Sequence, residues 1–364
     1  MKMSNLRQAL RVSTPGRICL FGEHQDYLQL PVISCAISLR LSISGRRRDD
    51  LHVYLALPDI EKEISFSLAE PLRYQGARDY FRSAVNVLRR SGFTFSSGFD
   101  CEVRGEIPIN SGTSSSTALV VTWVNFLALM SDQQKQLLPE ECARFAHMAE
   151  VLEFHEPGGM MDHYSTAFGG VLTLAFHPGL SIEKIDSRPK PFVLGDSQES
   201  KDTKGILARI KNQVLKITRD LSERHPDFSL HTVALEELDR YKRDLNSDQH
   251  TLLWGTLRNR DITQEALELL REPALDDLML GELLNEHQMV LRDILKISTP
   301  KIDRMITAAL RAGAYGGKIN GSGGGGCMFV YAPKDPEAVA QAIEAAGGKA
   351  YIVHVDSGSR IEPN

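Results

Sequence analysis

The 364-residue sequence has no C-x-x-C pair, no apolar run of 18 residues and no Walker A Gly-Lys-Ser/Thr. Its five cysteines, Cys19, Cys35, Cys101, Cys142 and Cys327, are scattered and odd in number. That pattern speaks against a disulfide framework and suits thiols acting as small hydrophobes in a reducing cytoplasm. Without a long apolar run no membrane-spanning helix is expected. Met1-Lys2-Met3-Ser4-Asn5 leads into no signal-peptide core, so the expectation is a soluble, cytoplasmic protein. Basic clusters are equally scarce. The net charge is −5, and the one dense run, Arg46-Arg47-Arg48, is followed at once by Asp49 and Asp50. It reads as a solvated hairpin turn rather than a nucleic-acid face, and neither nucleic acid nor membrane is an expected partner.

What the chain has is the balance of a globular enzyme, 42% hydrophobic and 24% charged, with length for one large domain or two ordinary ones. Residues 11–60 read as strands, including Arg17–Phe21, Val32–Leu39 and an alternating Leu51–Leu55. Helical spacing marks 78–91 and 138–155, and a strand is expected at Val171–Phe176 before the turn His177-Pro178-Gly179. From Lys204 to about Leu295 the chain is helical and charged, and it is expected to contribute to a substrate cleft. A compact end carries a helix at 300–312, a glycine loop at 321–326, a strand at Met328–Tyr331, a helix at 335–346 and a strand at Ala350–Val355. The expected class is α+β, with an amino-terminal domain over 1–180 and a carboxy-terminal domain over 181–364.

Three segments carry chemistry. Ile107-Pro108-Ile109-Asn110-Ser111-Gly112-Thr113-Ser114-Ser115-Ser116-Thr117 joins a strand to an apolar helix expected from about Ser114 to Met130. Small residues let backbone N–H groups close around an anion, the helix N-terminus adds partial positive charge, and the serines are natural caps. Pro15-Gly16-Arg17-Ile18-Cys19-Leu20-Phe21-Gly22-Glu23-His24-Gln25-Asp26-Tyr27 delivers four polar side chains at one strand end, which suits a polyhydroxylated ligand. Lys318-Ile-Asn-Gly321-Ser-Gly323-Gly-Gly-Gly326 contains G-x-G-x-x-G, but a strand follows it instead of a helix, so a dinucleotide-binding loop is not expected. So dense a glycine tract points to close backbone approach to a ligand.

Taken together and in this order, the segments resemble the three signature motifs of the GHMP kinase superfamily. The residues at 15–27 are similar to the galactokinase signature in particular. The resemblance implies a two-domain α+β fold, one domain like a ribosomal-protein domain and the other ferredoxin-like with added helices, with the active site in the cleft between them. It implies ATP as co-substrate, Mg²⁺ as cofactor and a small-molecule sugar as substrate, phosphorylated on a hydroxyl, with galactose or a relative reacting at the anomeric position. Pro157-Gly158-Gly159-Met160-Met161-Asp162 is similar to the segment that supplies an aspartate beside the reactive hydroxyl, which makes Asp162 and Arg17 the catalytic candidates. Glu23, His24, Asp26 and the backbone of Gly159 would hold the sugar. Ser111, Gly112, Thr113, Ser114, Ser115, Ser116, Gly323 and Gly324 would bind the ATP phosphates, with Ser116 and Glu150 on the metal.

The sequence also departs from the galactokinase pattern. Leu28-Gln29-Leu30 stands for Asn-Gly-Gly, Gln25 for Thr, Asn110 for Gly, Thr113 for Leu and Ser322 for Ala. These positions are expected to border the sugar and phosphate sites and to bear on which sugar is used. His155 and His163 flank the Asp162 loop without cysteines at metal-ligand spacing, so solvated or core roles are expected for them. The alternatives are a mevalonate-type kinase of the same superfamily and a non-catalytic ATP- and sugar-binding sensor.

Overall fold

The structure is a computed structural model that describes residues 9–69, 71–156, 158–199 and 203–363. Met1–Asn5 and Pro157, both read in the sequence, lie outside the described residues. The first half alternates long strands with apolar helices: β1 (Leu10–Phe21), β2 (Val32–Arg47), β3 (His52–Leu57), β4 (Lys62–Ser67), α1 (Tyr80–Arg90), β5 (Phe99–Gly105), α2 (Ser115–Met130), α3 (Pro139–His147), α4 (Met161–Phe168), β6 (Val171–Ala175) and β7 (Ser181–Ile185). The second half holds β8 (Phe192–Asp196), α5 (Thr203–Arg224), α6 (Ser247–Arg271), α7 (Asp277–Met289), α8 (Pro300–Arg311), β9 (Gly316–Ile319), β10 (Cys327–Tyr331), α9 (Pro336–Ala345), β11 (Lys349–Val353) and β12 (Arg360–Ile361). Local chemistry sets several starts. Thr299 and Asp335 accept from the first-turn N–H groups of α8 and α9, and Pro300 and Pro336 follow them.

An eight-stranded sheet runs β12-β1-β2-β5-β3-β4, with β6 on β2 and β7 on β6; a four-stranded antiparallel sheet runs β11-β8-β10-β9. The large sheet crosses the expected division at 180. β7 pairs with β6, and the tail returns so that Val12 and Ser13 pair with Ile361 and Arg360. Arg40 holds this return by donating to Asp356 and to the Gly358 carbonyl. The arginine run is not a hairpin turn. Arg46 and Arg47 lie in β2, whose neighbour is β5; β3 then pairs parallel to β5, so the 48–51 connection steps over a strand. Arg47 donates to the Ser131 carbonyl, and Arg48 pairs with Asp50 and Asp100.

One core lies between the large sheet and α1–α4, centred on Trp123, Phe126 and Phe99. The other fills the space between the small sheet and α5–α9, and takes in Ile18, Leu20, Phe21 and Ile33 from β1 and β2. β1 is thus buried on both faces, one in each core, and its end at Phe21 is anchored where both halves meet. No helix among the described residues is long and apolar enough to cross a membrane.

Candidate active site

Three turns converge on one cavity of about 950 Å³: the turn after β1, the loop before α2 and the β9–β10 connection. β1 reaches the serine loop through an irregularity in its pairing at Pro15/Gly16, where proline is tolerated. A Cβ on Gly16 would lie 3.0 Å from the Thr113 carbonyl, and Arg17 N–H donates to that same oxygen at 3.2 Å. Arg17, 4% exposed, also donates to the Gly112 carbonyl and pairs with Asp162 at 2.7 Å. Asp162 sits in the first turn of α4. Burial pushes its carboxyl up, but the Arg17 guanidinium and the Ser114 hydroxyl pull the other way and the carboxyl stays below the usual range. The buried Ser114 hydroxyl faces the same carboxylate and favours its charge, though it meets no partner at proper hydrogen-bond geometry.

Ser114 stands at the start of α2 in a left-handed conformation (φ 62°), and its side chain does not cap the helix. The expected serine cap is therefore not formed. The first-turn N–H groups of a helix have no intrahelical acceptor, and here Ser115, Ser116 and Thr117 line the cavity with them. Ser111 and Gly112 line it too. Thr113 does not: it is fully buried, and its hydroxyl reaches Ser111 and the Pro108 carbonyl.

The glycine tract divides. Gly321, Ser322 and Gly326 line the cavity, whereas Gly323 and Gly324 do not. A Cβ on Gly323 would meet Ile297 at 2.5 Å, and Gly324 N–H donates to the Ile297 carbonyl at 2.7 Å. Glycine is required at these two positions by the protein's own atoms, Ile297 against Gly323 and the Ile206 side chain against Gly324. Gly326 (φ 74°) packs on Ser111 and joins the two loops: Cys327 N–H donates to the Ser111 carbonyl at 2.7 Å.

At the other end Glu23, His24, Asp26, Tyr27 and Gly159 line the wall. His24 Nδ1 meets the Tyr27 hydroxyl at 2.8 Å, and its Nε2 meets the Ser322 carbonyl at 3.1 Å. Burial pushes Asp26 up to about 6 against the pull of the Tyr27 N–H. Glu23 is 2% exposed and paired with Lys318. Gln25 points the other way, to Thr263 of α6, and Leu28, Gln29 and Leu30 do not line the cavity. Of the departures expected to border the sites, only Asn110 and Ser322 do so. No described residue of 203–295 lines the cavity either; Thr263, His287 and Lys211 stand behind the turn after β1.

Glu150 lies on a π-helical turn, Met148–Leu152, that continues α3. It lines the cavity with its Oε2 2.9 Å from His163 Nε2. No group of three or more His, Cys, Asp or Glu side chains among the described residues is arranged to hold a metal ion. Ser116 and Glu150 still offer two oxygen donors, the number Mg²⁺ takes from protein when phosphates complete its shell.

Lys318 and Asn320 passed unremarked in the sequence although they open the glycine segment. Asn320 is buried, accepts from Cys19 N–H and donates to the Gly112 carbonyl. The Asp196–Glu199 segment after β8 also lines the cavity, and it carried no motif.

Residues 79–170 match the GHMP kinases N terminal domain, 266–352 the GHMP kinases C terminal domain, and 5–47 the galactokinase galactose-binding signature. A galactokinase of Actinobacillus succinogenes is 30% identical over 356 residues, covering 92% of this chain and 88% of its own. A mevalonate kinase of Thermococcus onnurineus is 29% identical over 360 residues, covering 96% and 97%. The crystal structure of a Lactococcus lactis galactokinase complexed with galactose superimposes with a TM-score of 0.83 at 22% identity, covering 98% of this chain and 96% of that one. The two kinase types stand level as relatives, so they do not separate the substrates. They agree with the cavity on the larger point: the chain belongs to the GHMP kinase family, whose members use ATP to phosphorylate an alcohol.

Proposed function

We propose that the chain is an ATP- and Mg²⁺-dependent kinase of a neutral sugar, acting on the anomeric hydroxyl of galactose or a related monosaccharide. The charge at the acceptor end carries this reading. Asp26 and Asp162 face that end beside the buried Glu23, and every arginine and histidine among the described lining residues is already engaged. Arg17 is on Asp162, Arg78 on Glu156, His24 between Tyr27 and Ser322, and His163 on Glu150. An acceptor with its own carboxylate, such as mevalonate, finds no free counter-ion and meets like charge. A polyhydroxylated neutral acceptor donates O–H groups to the carboxylates of Asp26 and Asp162.

The nucleotide end supports the ATP role. Backbone N–H groups at the start of α2 and small residues at Gly321 and Gly326 suit phosphate oxygens. Glu150, Glu156, Asp196 and Glu199 add negative charge to the wall, so a polyphosphate enters best with a divalent cation. Ser116 and Glu150 would hold Mg²⁺, which supplies charge neutralisation on the phosphates when bound. In the reaction the acceptor oxygen forms a bond to the γ-phosphorus, the bond to the β,γ-bridging oxygen breaks, and ADP leaves. Asp162, kept ionised by Arg17, accepts the hydroxyl hydrogen bond and aligns it, and takes the proton as the new bond forms. So weak a base suffices because phosphoryl transfer is loose. Arg17 in turn adds positive charge where the phosphoryl group crosses. Five buried free thiols among the described residues accord with a cytoplasmic setting.

The test is an ADP-release assay with Mg-ATP against free monosaccharides, mevalonate and homoserine. Turnover on a neutral sugar is expected. Turnover confined to mevalonate or homoserine overturns the sugar and keeps the kinase; ligand binding without any turnover favours a sensor.

A further inference from the structure

Lys318 has no exposed surface, and its ammonium meets a carboxylate that is equally hidden, that of Glu23. The same ammonium donates to the Ile319 carbonyl at 3.3 Å and lies 4.9 Å from the centre of the Phe329 ring. Glu23 Oε1 is thereby taken. Oε2 is buried without an N–H or O–H donor; His287 Nε2 lies 3.7 Å from it, and the Cys19 thiol is close to the same carboxylate. His287 stacks on Phe21 at 5.7 Å, and burial holds it far below the usual imidazole range, so it stands there uncharged. Lys318 is therefore the full counter-charge facing this carboxylate from the β9 side.

The end of β9 and the turn after it extend this contact into a row. Lys318 stands next to last in β9, and Asn320 and Ser322 follow in the turn that leaves it. Lys318 reaches Glu23, Asn320 reaches Cys19 N–H and the Gly112 carbonyl, and the Ser322 carbonyl reaches His24. One hairpin thus grips the turn after β1 at Glu23 and His24 and the serine loop at Gly112. A buried ion pair of this kind is weak evidence for stability, because desolvation offsets its attraction, but it fixes geometry strongly.

We infer that Lys318 is a positioning residue for the acceptor, pinning Glu23 from behind so that the turn 22–27 presents its polar side chains to the cavity. This rests on the reading that the Glu23 end of the cavity takes the acceptor. Lys318 acts through Glu23 and touches neither substrate. Removing it leaves Glu23 free to swing and the turn unanchored, which weakens the acceptor and spares the nucleotide held by the serine loop.

The experiment compares the full chain with Lys318→Met, Glu23→Gln and the double variant. Each is read for the KM of whichever acceptor the wild-type protein turns over, the KM of ATP, and the melting temperature. Lys318→Met is expected to raise acceptor KM by ~10- to 100-fold, the size of a lost charged hydrogen bond, with ATP KM within about twofold. In the Glu23→Gln background the same change is expected to add nothing, since its route to the acceptor is already cut. If Lys318→Met does not fold, the comparison of Glu23→Gln with the double variant, which buries no unpaired charge, decides alone. An unchanged acceptor KM in folded Lys318→Met overturns the inference, as does a joint rise of both KM values or a further rise in the double variant. Because the acceptor is the one actually used, turnover of mevalonate sinks the sugar reading and leaves this test intact.

Discussion

The carboxylate of Asp26 occupies the space that a side chain at Gly159 would need: a Cβ there falls 1.8 Å from Asp26 Oδ2. The backbone of Gly159 and the Asp26 carboxylate thus form a single wall, and glycine is required by proximity. Gly159→Ala is expected to raise acceptor KM by up to ~100-fold through displacement of Asp26, while ATP KM moves little. Steady-state kinetics with each substrate varied check this. Equal rises in both constants would point to general damage and sink the local explanation.

Asp26 also sets an expected pH dependence. Burial raises its carboxyl to about 6, and the nearby Asp162 charge adds to that. Below that pH it is neutral and accepts poorly from an acceptor hydroxyl, so kcat/KM for the acceptor should fall as pH drops through about 6. Asp26→Asn should lack that limb at a lower plateau. The linkage runs the same way. A raised carboxyl contributes stability below its unfolded value and loses it as pH rises through about 6. Asp26→Asn should therefore raise the melting temperature above pH ~7 and have little effect near pH ~4. A variant that retains the acidic limb assigns it to another group.

Asp162→Ala is expected to lower turnover by roughly 10²–10⁴-fold while nucleotide binding stays nearly intact. Turnover numbers and nucleotide affinity measured side by side separate the two. Loss of ATP affinity with unchanged residual turnover would remove Asp162 from the acceptor's chemistry.

Arg17 gives a complementary expectation. Burial alone favours the neutral form of Asp162, and Arg17 is the largest influence opposing it. In Arg17→Met the carboxyl moves up, and the acidic limb that Asp162 contributes to the kcat profile should shift to higher pH, beside a lower plateau. A lower plateau with the limb in place would mean that Arg17 acts only on the phosphate.

Gly326→Ala adds a Cβ 2.5 Å from the Ser111 carbonyl at a backbone φ of 74°. The contact between the glycine hairpin and the serine loop should open. ATP KM should rise by ~10-fold or more, with acceptor KM affected less, and the melting temperature should drop. Isothermal titration with a non-hydrolysable nucleotide tests it, and unchanged affinity would exclude a role for this contact in holding the phosphate loop.

The elements that could be read in advance were those with a strong local cause. The apolar run behind Ser114 places α2 almost to the residue, and the helices expected at 300–312 and 335–346 are α8 and α9. The shared site of Arg17, Asp26 and Asp162 came from the resemblance of ordered motifs, since nothing in their spacing brings them together. Lys318 was missed because a lone lysine before a glycine loop reads as solvated; only the fold buries it. A glycine's need for space does not say what fills it; the fold puts Ile297 against Gly323 and the Ile206 side chain against Gly324.

By itself the sequence determined the helices α1, α2, α8 and α9, the two small-residue loops and the polar turn after β1, but not β7, β8, β9 or β12, because periodicity and small-residue loops are local properties of the chain. Only the tertiary structure decided which glycines face the cavity, that the arginine run steps over a strand, that the tail returns to β1, and that Glu23 is held from behind by Lys318. Those outcomes depend on pairing and burial between residues up to several hundred positions apart, and no local pattern carries them.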